Sequence, residues 1–282
     1  MIIIDYNQVA ISNLIEHVRD TDSPIDIEMV RHMILNTIRT YVKKYKLTHG
    51  PEVVIACDSR KYWRKDYFPH YKAGRKKNRE DSGLDWTKMF ECLHTVKDEL
   101  STYSHYKVIE IELAEADDII GTLAIRNSPH EKVMILSSDK DFVQLQVCPN
   151  VEQYSPIMKK EIKVDNPANQ LKELIIRGDS SDGVPNILSE DNSFVDGIRQ
   201  KSIMSVKVVD WLKQPPEEFC NETMLRNYKR NELLIDLTKI PETIKKSIID
   251  NYENTKPKTK MQFMNYLVAN RLKQLIEVAN EF

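Results

Sequence analysis

A chain of 282 residues with 41% hydrophobic and 30% charged side chains can bury a real core and is too apolar to be a disordered polymer. Its 43 acids and 41 Lys and Arg leave a net charge of −2, and no apolar run approaches the roughly 20 residues that span a bilayer. The four cysteines, Cys57, Cys92, Cys148 and Cys220, form no Cys-x-x-Cys pair and the seven histidines are scattered. Zinc and other soft-metal chemistry is therefore not expected, and a reducing, cytoplasmic setting is.

Taken in order, Met1–Tyr6 reads as a buried strand carrying Asp5 near its end, too short and without the basic flank of a signal peptide. Gln8–Val18 has helical spacing, a Pro-containing linker follows at Thr21–Pro24, and a second helical pattern runs from Val30 to Tyr45 and stops at Gly50–Pro51. Val53–Cys57 is a second apolar strand, and it runs directly into Asp58. The segment Arg60–Asp85 then breaks the rhythm. It has nine cations between Arg60 and Arg79 against a single acid, and five aromatics, Tyr62, Trp63, Tyr67, Phe68 and Tyr71.

A helix is expected from Trp86 to Leu100, and a third strand, Lys107–Glu112, leads to Glu115–Ala116–Asp117–Asp118 at a helix start. Val133–Leu136 is a fourth strand, ending on Ser137–Ser138–Asp139–Lys140–Asp141 before a short helix near Phe142–Gln146. Val151–Tyr154 and Glu161–Val164 read as a hairpin. From 166 onward the pattern is helical: Pro167–Arg177, a tight polar turn Gly178–Pro185 with Asp179 and Asp182, a loose stretch to Gln200, a helix Ser202–Leu212, and three helical segments near Glu217–Leu237, Glu242–Tyr252 and Met261–Val278. Strands alternating with helices imply an α/β fold with a mostly parallel central sheet flanked by helices. Residues 1–165 form the α/β core, with the basic segment at about 60–85 inserted, and 166–282 the helical C-terminal region.

Parallel strands deliver their carboxyl ends to one edge, so Asp5, Asp58, Glu115, Asp117, Asp118, Asp139 and Asp141, joined by Asp179 and Asp182, can converge. Nine such carboxylates raise one another's pKa unless a cation compensates, and hard oxygen donors suit Mg²⁺. Bland readings compete for each piece alone. Asp139 can cap a helix, Asp117 and Asp118 can answer a helix dipole, and Asp179 and Asp182 can be ordinary turn residues. Five clusters, four of them at strand ends, favour a two-metal phosphodiesterase centre. The absence of a P-loop Lys-Ser/Thr, a Gly-x-Ser-x-Gly element or a second acid two residues after Asp5 argues against other phosphate and acyl chemistries. The basic segment supplies phosphate contacts and aromatics that either stack on bases or anchor short helices to the body. With the nine acids set aside, the remaining side chains carry a balance of +7.

These residues resemble the flap-endonuclease (structure-specific 5′-nuclease) family, and within it the phage ribonuclease H branch. The matching stretches are Ile4–Asp5–Tyr6 with Gln8, Asp58, Tyr62–Asp66, Tyr71–Lys72, Glu115–Asp118, Ser137–Phe142, Gly178–Asp179 with Asp182, Tyr228–Asp236 and Asn280–Phe282, nearly the whole chain. The resemblance implies a PIN-like 5′-nuclease core and a 5′-to-3′ exonuclease and flap endonuclease acting on RNA–DNA and DNA–DNA duplexes, the activity that removes RNA primers in lagging-strand replication. It implies two Mg²⁺ ions, replaceable by Mn²⁺, one held by Asp5, Asp58, Glu115, Asp117 and Asp139, the other by Asp118, Asp141, Asp179 and Asp182. It makes 60–85 a helical arch in which Lys72 positions the scissile phosphate as a catalytic residue alongside Asp117 and Asp139. Arg64, Lys65, Tyr71, Arg75, Lys76, Lys77 and Arg79 then contact nucleic acid. Residues 178–212 resemble a helix–three-turn–helix that grips duplex, although Gly183 and Asn186 stand where the family has Asn and Gly, and the Gly-rich hairpin is replaced by Ser189–Gly197. A monomer is implied, with a phage single-stranded-DNA-binding protein as partner and no membrane contact. The competing readings are a PIN-type single-strand ribonuclease and a non-catalytic branched-DNA-binding replication factor.

Overall fold

The computed structural model describes residues 1–21 and 25–282, so the linker expected at Thr21–Pro24 falls, beyond Thr21, outside the described residues. Six strands, β1 (Ile2–Asp5), β2 (Val53–Cys57), β3 (Lys107–Glu110), β4 (Val133–Leu136), β5 (Val151–Ser155) and β6 (Lys160–Ile162), form one sheet in the order β3-β2-β1-β4-β5-β6. The first five are parallel, and β6 returns antiparallel to β5 as the expected hairpin. The third strand stops two residues early, because Ile111–Ala114 turns, with Leu113 at φ 66° and the Ala114 amide donating to Ile111 O.

The near-continuous apolar runs of β1, β2 and β4 follow from burial on both faces. Ile2, Ile4, Ile55 and Leu136 face a cluster built from helices 6–21, 27–49 and 86–103, closed by Phe263, Tyr266, Leu275 and Phe282 from the end of the chain. Ile3, Val54, Ala56 and Ile135 face the opposite cluster, built from helices 116–127 and 242–254 and the 3-10 helix 140–147. The last 50 residues therefore cover both faces of the sheet.

A third cluster lies beyond the carboxyl edge, where Phe68 and Tyr71 of the basic segment pack with Ile175, Ile176, Val184, Ile187, Tyr228 and Leu234. The segment without periodicity folds as two short helices, Trp63–Tyr67 and Arg75–Asp81, the second with no buried residue. The segment expected at Glu217–Leu237 is divided by Asn221, whose side chain caps helix 222–235 by accepting from the Met224 amide. That at Met261–Val278 is divided by a turn in which Arg271 takes φ 54°.

Two glycines are required by space. Gly178 ends helix 167–177 at φ +69°, and a Cβ there would sit 2.3 Å from Val184 O. Gly183, at φ +71°, lets the turn approach the basic segment so closely that a Cβ would meet His70 O at 3.1 Å. Among the described residues no helix is long and apolar enough to cross a membrane.

Candidate metal and nucleic-acid site

The strand order reverses direction between β1 and β4, and crevices outside the carboxyl ends of strands at such a switch point are where open α/β sheets place ligands. Asp5 ends β1 and Asp139 lies three residues past β4. Ser137 spans the switch, donating its hydroxyl to Asp5 Oδ2 at 2.9 Å and accepting the Asp139 amide at 3.1 Å. The Gln8 amide donates to Asp5 Oδ1. One strand over, Asp58 is fixed by Asn7 Nδ2 at 2.7 Å and by the Ala116 amide at 2.8 Å, which ties β2 to the start of helix 116–127. Asp139 caps the 3-10 helix by accepting from the Asp141 amide, so the capping reading holds for it alongside its place in the cluster. Gln153 on β5 holds the same turn from below, donating to Ser137 O and Asp139 O.

Asp117, Asp141, Asp179 and Asp182 line one narrow crevice together with Arg64 and Tyr71. Burial raises the Asp5 carboxyl to about 7, with Asp58 and then Asp139 adding to the rise. Burial likewise pushes Asp117, Asp139 and Asp141 upward. Asp139, Glu115 and Asp5 reinforce it at Asp117, and Asp139, Asp179 and Asp182 do so at Asp141. These groups share one electrostatic neighbourhood. Asp182 goes the other way: burial favours its neutral form, but Lys72, Arg75 and the Tyr71 hydroxyl outweigh that and lower its pKa.

Three of the expected site residues have other partners in the structure. Asp118, expected as a metal ligand, is wholly buried, and its Oδ2 accepts from Trp63 Nε1 at 3.1 Å, the Glu115 amide at 2.9 Å and Arg64 Nη1 at 3.0 Å, with Arg64 Nη2 in an ion pair 2.8 Å from Oδ1. It is the closing half of a capping box with Glu115, the helix-start reading that competed with metal binding. Arg64, expected on the phosphate surface, is 2% exposed, bonded to Glu115 Oε2, Asp118 and Leu234 O, and out of reach of nucleic acid. Tyr71, also expected there, is 2% exposed with its hydroxyl 2.7 Å from Asp182 Oδ2 and 3.1 Å from Glu115 Oε2. Trp63, Phe68 and Tyr71 are anchors, and of the five aromatics Tyr67 alone is largely exposed. Lys65, Arg75, Lys76 and Lys77 do lie on the exposed surface, with Arg79 partly covered.

Ser137, Asn7 and Gln153 position the acids and were not singled out from the sequence. Ser137 and Asn7 stand beside marked acids, which is a signal of a kind, whereas Gln153 shows only as a polar residue inside an apolar strand.

Among the described residues no three Asp, Glu, His or Cys side chains are grouped tightly enough to hold a metal ion. The chemistry of the donors nevertheless fits a hard divalent cation. They are carboxylate oxygens throughout, they repel one another, and Asp141 Oδ1 is buried with no hydrogen-bond partner. A raised folded-state pKa means that the native state binds more protons than the unfolded chain above the unfolded value of 3.8, so this stabilisation is full at low pH and is lost as pH rises through about 7. With EDTA, the melting temperature is expected to carry a falling component between pH 5 and 8. Millimolar Mg²⁺ should remove that component, and Asp5→Asn should reduce it. A pH profile indifferent to both would contradict the shared-charge description.

Comparison with known proteins agrees with this geometry. The model of the 5′-3′ exonuclease N-terminal resolvase-like domain matches residues 3–173, and that of the T4 RNase H C-terminal domain matches residues 167–282. Ribonuclease H of Enterobacteria phage T4 is 35% identical, covering 99% of this chain and 95% of its own. Flap endonuclease Xni of Shewanella sp. (strain MR-4) is 32% identical over 51% of this chain and 56% of its own, so the chain spans about half the length of that relative. Among solved structures, the phage T5 flap endonuclease in a pseudo-enzyme-product complex with DNA and metal ions aligns with a TM-score of 0.63 at 18% identity, covering 89% of this chain and 97% of the other. The T5 5′-exonuclease with bound zinc aligns at 0.61 and 17% identity, covering 90% and 98%. The chain belongs to the 5′-3′ exonuclease and flap endonuclease family of metal-dependent nucleases, and its similarity to phage T4 ribonuclease H runs through both of its matched regions.

Proposed function

We propose that this protein is a Mg²⁺-dependent 5′-3′ exonuclease and flap endonuclease that hydrolyses phosphodiesters in RNA–DNA and DNA–DNA duplexes and removes RNA primers during lagging-strand replication. The observation that carries this reading is the acidic cluster at the β1/β4 switch point, edged by an exposed basic segment. Asp5, Asp58, Glu115, Asp117 and Asp139 would hold one Mg²⁺, and Asp141, Asp179 and Asp182 the second, with Mn²⁺ as a substitute. Asp118 is left out of the set because Arg64 pairs with its charge and Trp63 and the Glu115 amide hold its Oδ2. The bound ions would supply an activated water and neutralise charge on the leaving oxygen.

The chain's own groups do the rest. Ser137, Asn7 and Gln153 fix the carboxylates against rotation. Lys65, Lys76, Lys77 and Arg79 form the phosphate-binding face of an arch at 60–85, with Lys72 and Arg75 reaching the scissile phosphate from its foot. Residues 178–212 act as the duplex-gripping element. Asn186 braces that loop: its side chain donates to Lys201 O and accepts from the Leu188 amide, while its own amide donates to Gln200 Oε1. The working form is a cytoplasmic monomer, with a phage single-stranded-DNA-binding protein as partner.

The test is incubation with Mg²⁺ and three 5′-labelled substrates: a flap duplex, a nicked RNA–DNA hybrid and single-stranded RNA. Short 5′ products from both duplexes are expected. Cleavage of the single strand alone would replace this reading by a PIN-type ribonuclease, and tight binding without products by a non-catalytic junction binder.

A further inference from the structure

The foot of the basic segment is tied to two carboxylates of the cluster. Lys72 Nζ pairs with Glu115 Oε1 and lies 3.5 Å from Asp182 Oδ2. Arg75 Nη2 is 2.6 Å from Asp182 Oδ1, and the Tyr71 hydroxyl touches both acids. The Lys72 amide donates to Asp182 O at 2.7 Å, closing the foot on the turn through the backbone. The Lys72 side chain is only 8% exposed, so its ammonium is inserted among the acids rather than resting on a surface. Its backbone takes φ 55°, a left-handed conformation that a lysine keeps only where surrounding contacts hold it. By contrast, Asp117 and Asp141, which line the same crevice, make no ion pair shorter than 4 Å among the described residues.

We propose that Lys72 and Arg75 are the resident counter-ions of Glu115 and Asp182, and that a divalent cation entering the cluster displaces them and turns both toward the phosphodiester. The inference rests on the metal-site reading above and deepens it. Lys72 and Arg75 are positioning residues in the free protein and phosphate contacts in the loaded one. A cation that must displace Lys72 binds more weakly by the strength of the lost pair, and by reciprocity its binding loosens the foot. Metal arrival and arch release become one event, so the arch lysine is offered to a phosphate only when the cluster is charged. Arg64 also pairs with Glu115, through Oε2 at 2.8 Å, but it is held in place by Asp118 and Leu234 O and is not exchanged.

Mn²⁺ binding without nucleic acid, followed by electron paramagnetic resonance, tests the exchange. Lys72→Met is expected to bind Mn²⁺ about tenfold more tightly than the wild type. Simple charge repulsion would also tighten binding, so hydrogen exchange across residues 71–81 of the wild-type protein is measured with and without Mn²⁺. Displacement requires faster exchange there on Mn²⁺ addition, a readout that does not depend on the variant folding. Exchange unchanged or slowed by Mn²⁺, or an affinity in Lys72→Met equal to or weaker than wild type, overturns the proposal. Failure of the wild type to bind Mn²⁺ at all would instead overturn the metal-site reading on which it rests.

Discussion

Asp139→Asn is expected to lower the single-turnover rate of cleavage by about 10³-fold while leaving binding to a flap duplex intact or tighter. Asparagine matches aspartate in shape, and its Oδ1 can still accept the Asp141 amide, so the cap of the 3-10 helix survives. What is lost is one negative charge at the point where the neighbourhoods of Asp5, Asp117 and Asp141 meet. Burial already pushes the Asp139 carboxyl upward, with Asp182 and Asp179 adding to the rise, so neutralising it relieves repulsion within the protein and with phosphate. The variant should therefore melt no lower than wild type in EDTA. Normal turnover would remove Asp139 from the site. A lost rate accompanied by a large fall in melting temperature would reduce it to a structural cap.

The second large effect falls on stability. Arg64→Leu is expected to destabilise the protein by about 3–5 kcal/mol, the usual cost of leaving buried charges without their partner. In a chain of this size that lowers the melting temperature on the order of 10 °C. The reasoning is local: Arg64 and Asp118 are almost fully buried, and Glu115 is 1% exposed. Removing the guanidinium also strands Leu234 O, which accepts from Arg64 Nε at 2.8 Å. Asp118→Asn should show the same pattern of lost stability with Mn²⁺ affinity little changed. If Asp118 were a metal ligand, that substitution would instead reduce Mn²⁺ affinity with little effect on melting. Differential scanning calorimetry and Mn²⁺ titration of the same samples separate the two.

The contrast between Asp139 and Asp118 shows what a single chain of letters can reveal. Strands that run into acids are legible because a buried parallel strand has a short apolar signature, and its carboxyl end has a predictable destination. Hence β1, β2 and β4 and their acids emerge in the right places. Which carboxylates already have partners is not legible, because those partners come from far along the chain. Arg64 reaches Asp118 across 54 positions, and nothing in a run of nine cations distinguishes it from Lys65 beside it. Helical spacing could not mark it either, since Trp63–Tyr67 is five residues long, too brief to show a period. The anchoring alternative holds for three of the aromatics, but which three is not legible for the same reason. Trp63, Phe68 and Tyr71 face a cluster contributed mostly by residues beyond 112. Gln153 carries no local signal, because a buried amide matters through the carbonyls it meets, and those belong to another strand's turn.

The contact between Gly183 and His70 has a mechanical meaning. Where two backbones meet without side chains between them, the joint has no slack, and displacement on one side is transmitted rather than absorbed. Helix 167–177 ends at Gly178, the turn begins there, and the arch foot rests on that turn. A displacement of that turn therefore passes to the residue that carries the ammonium group. The position of the turn and the height of Lys72 in the crevice are thereby linked, and a single added methyl at position 183 would wedge that linkage open.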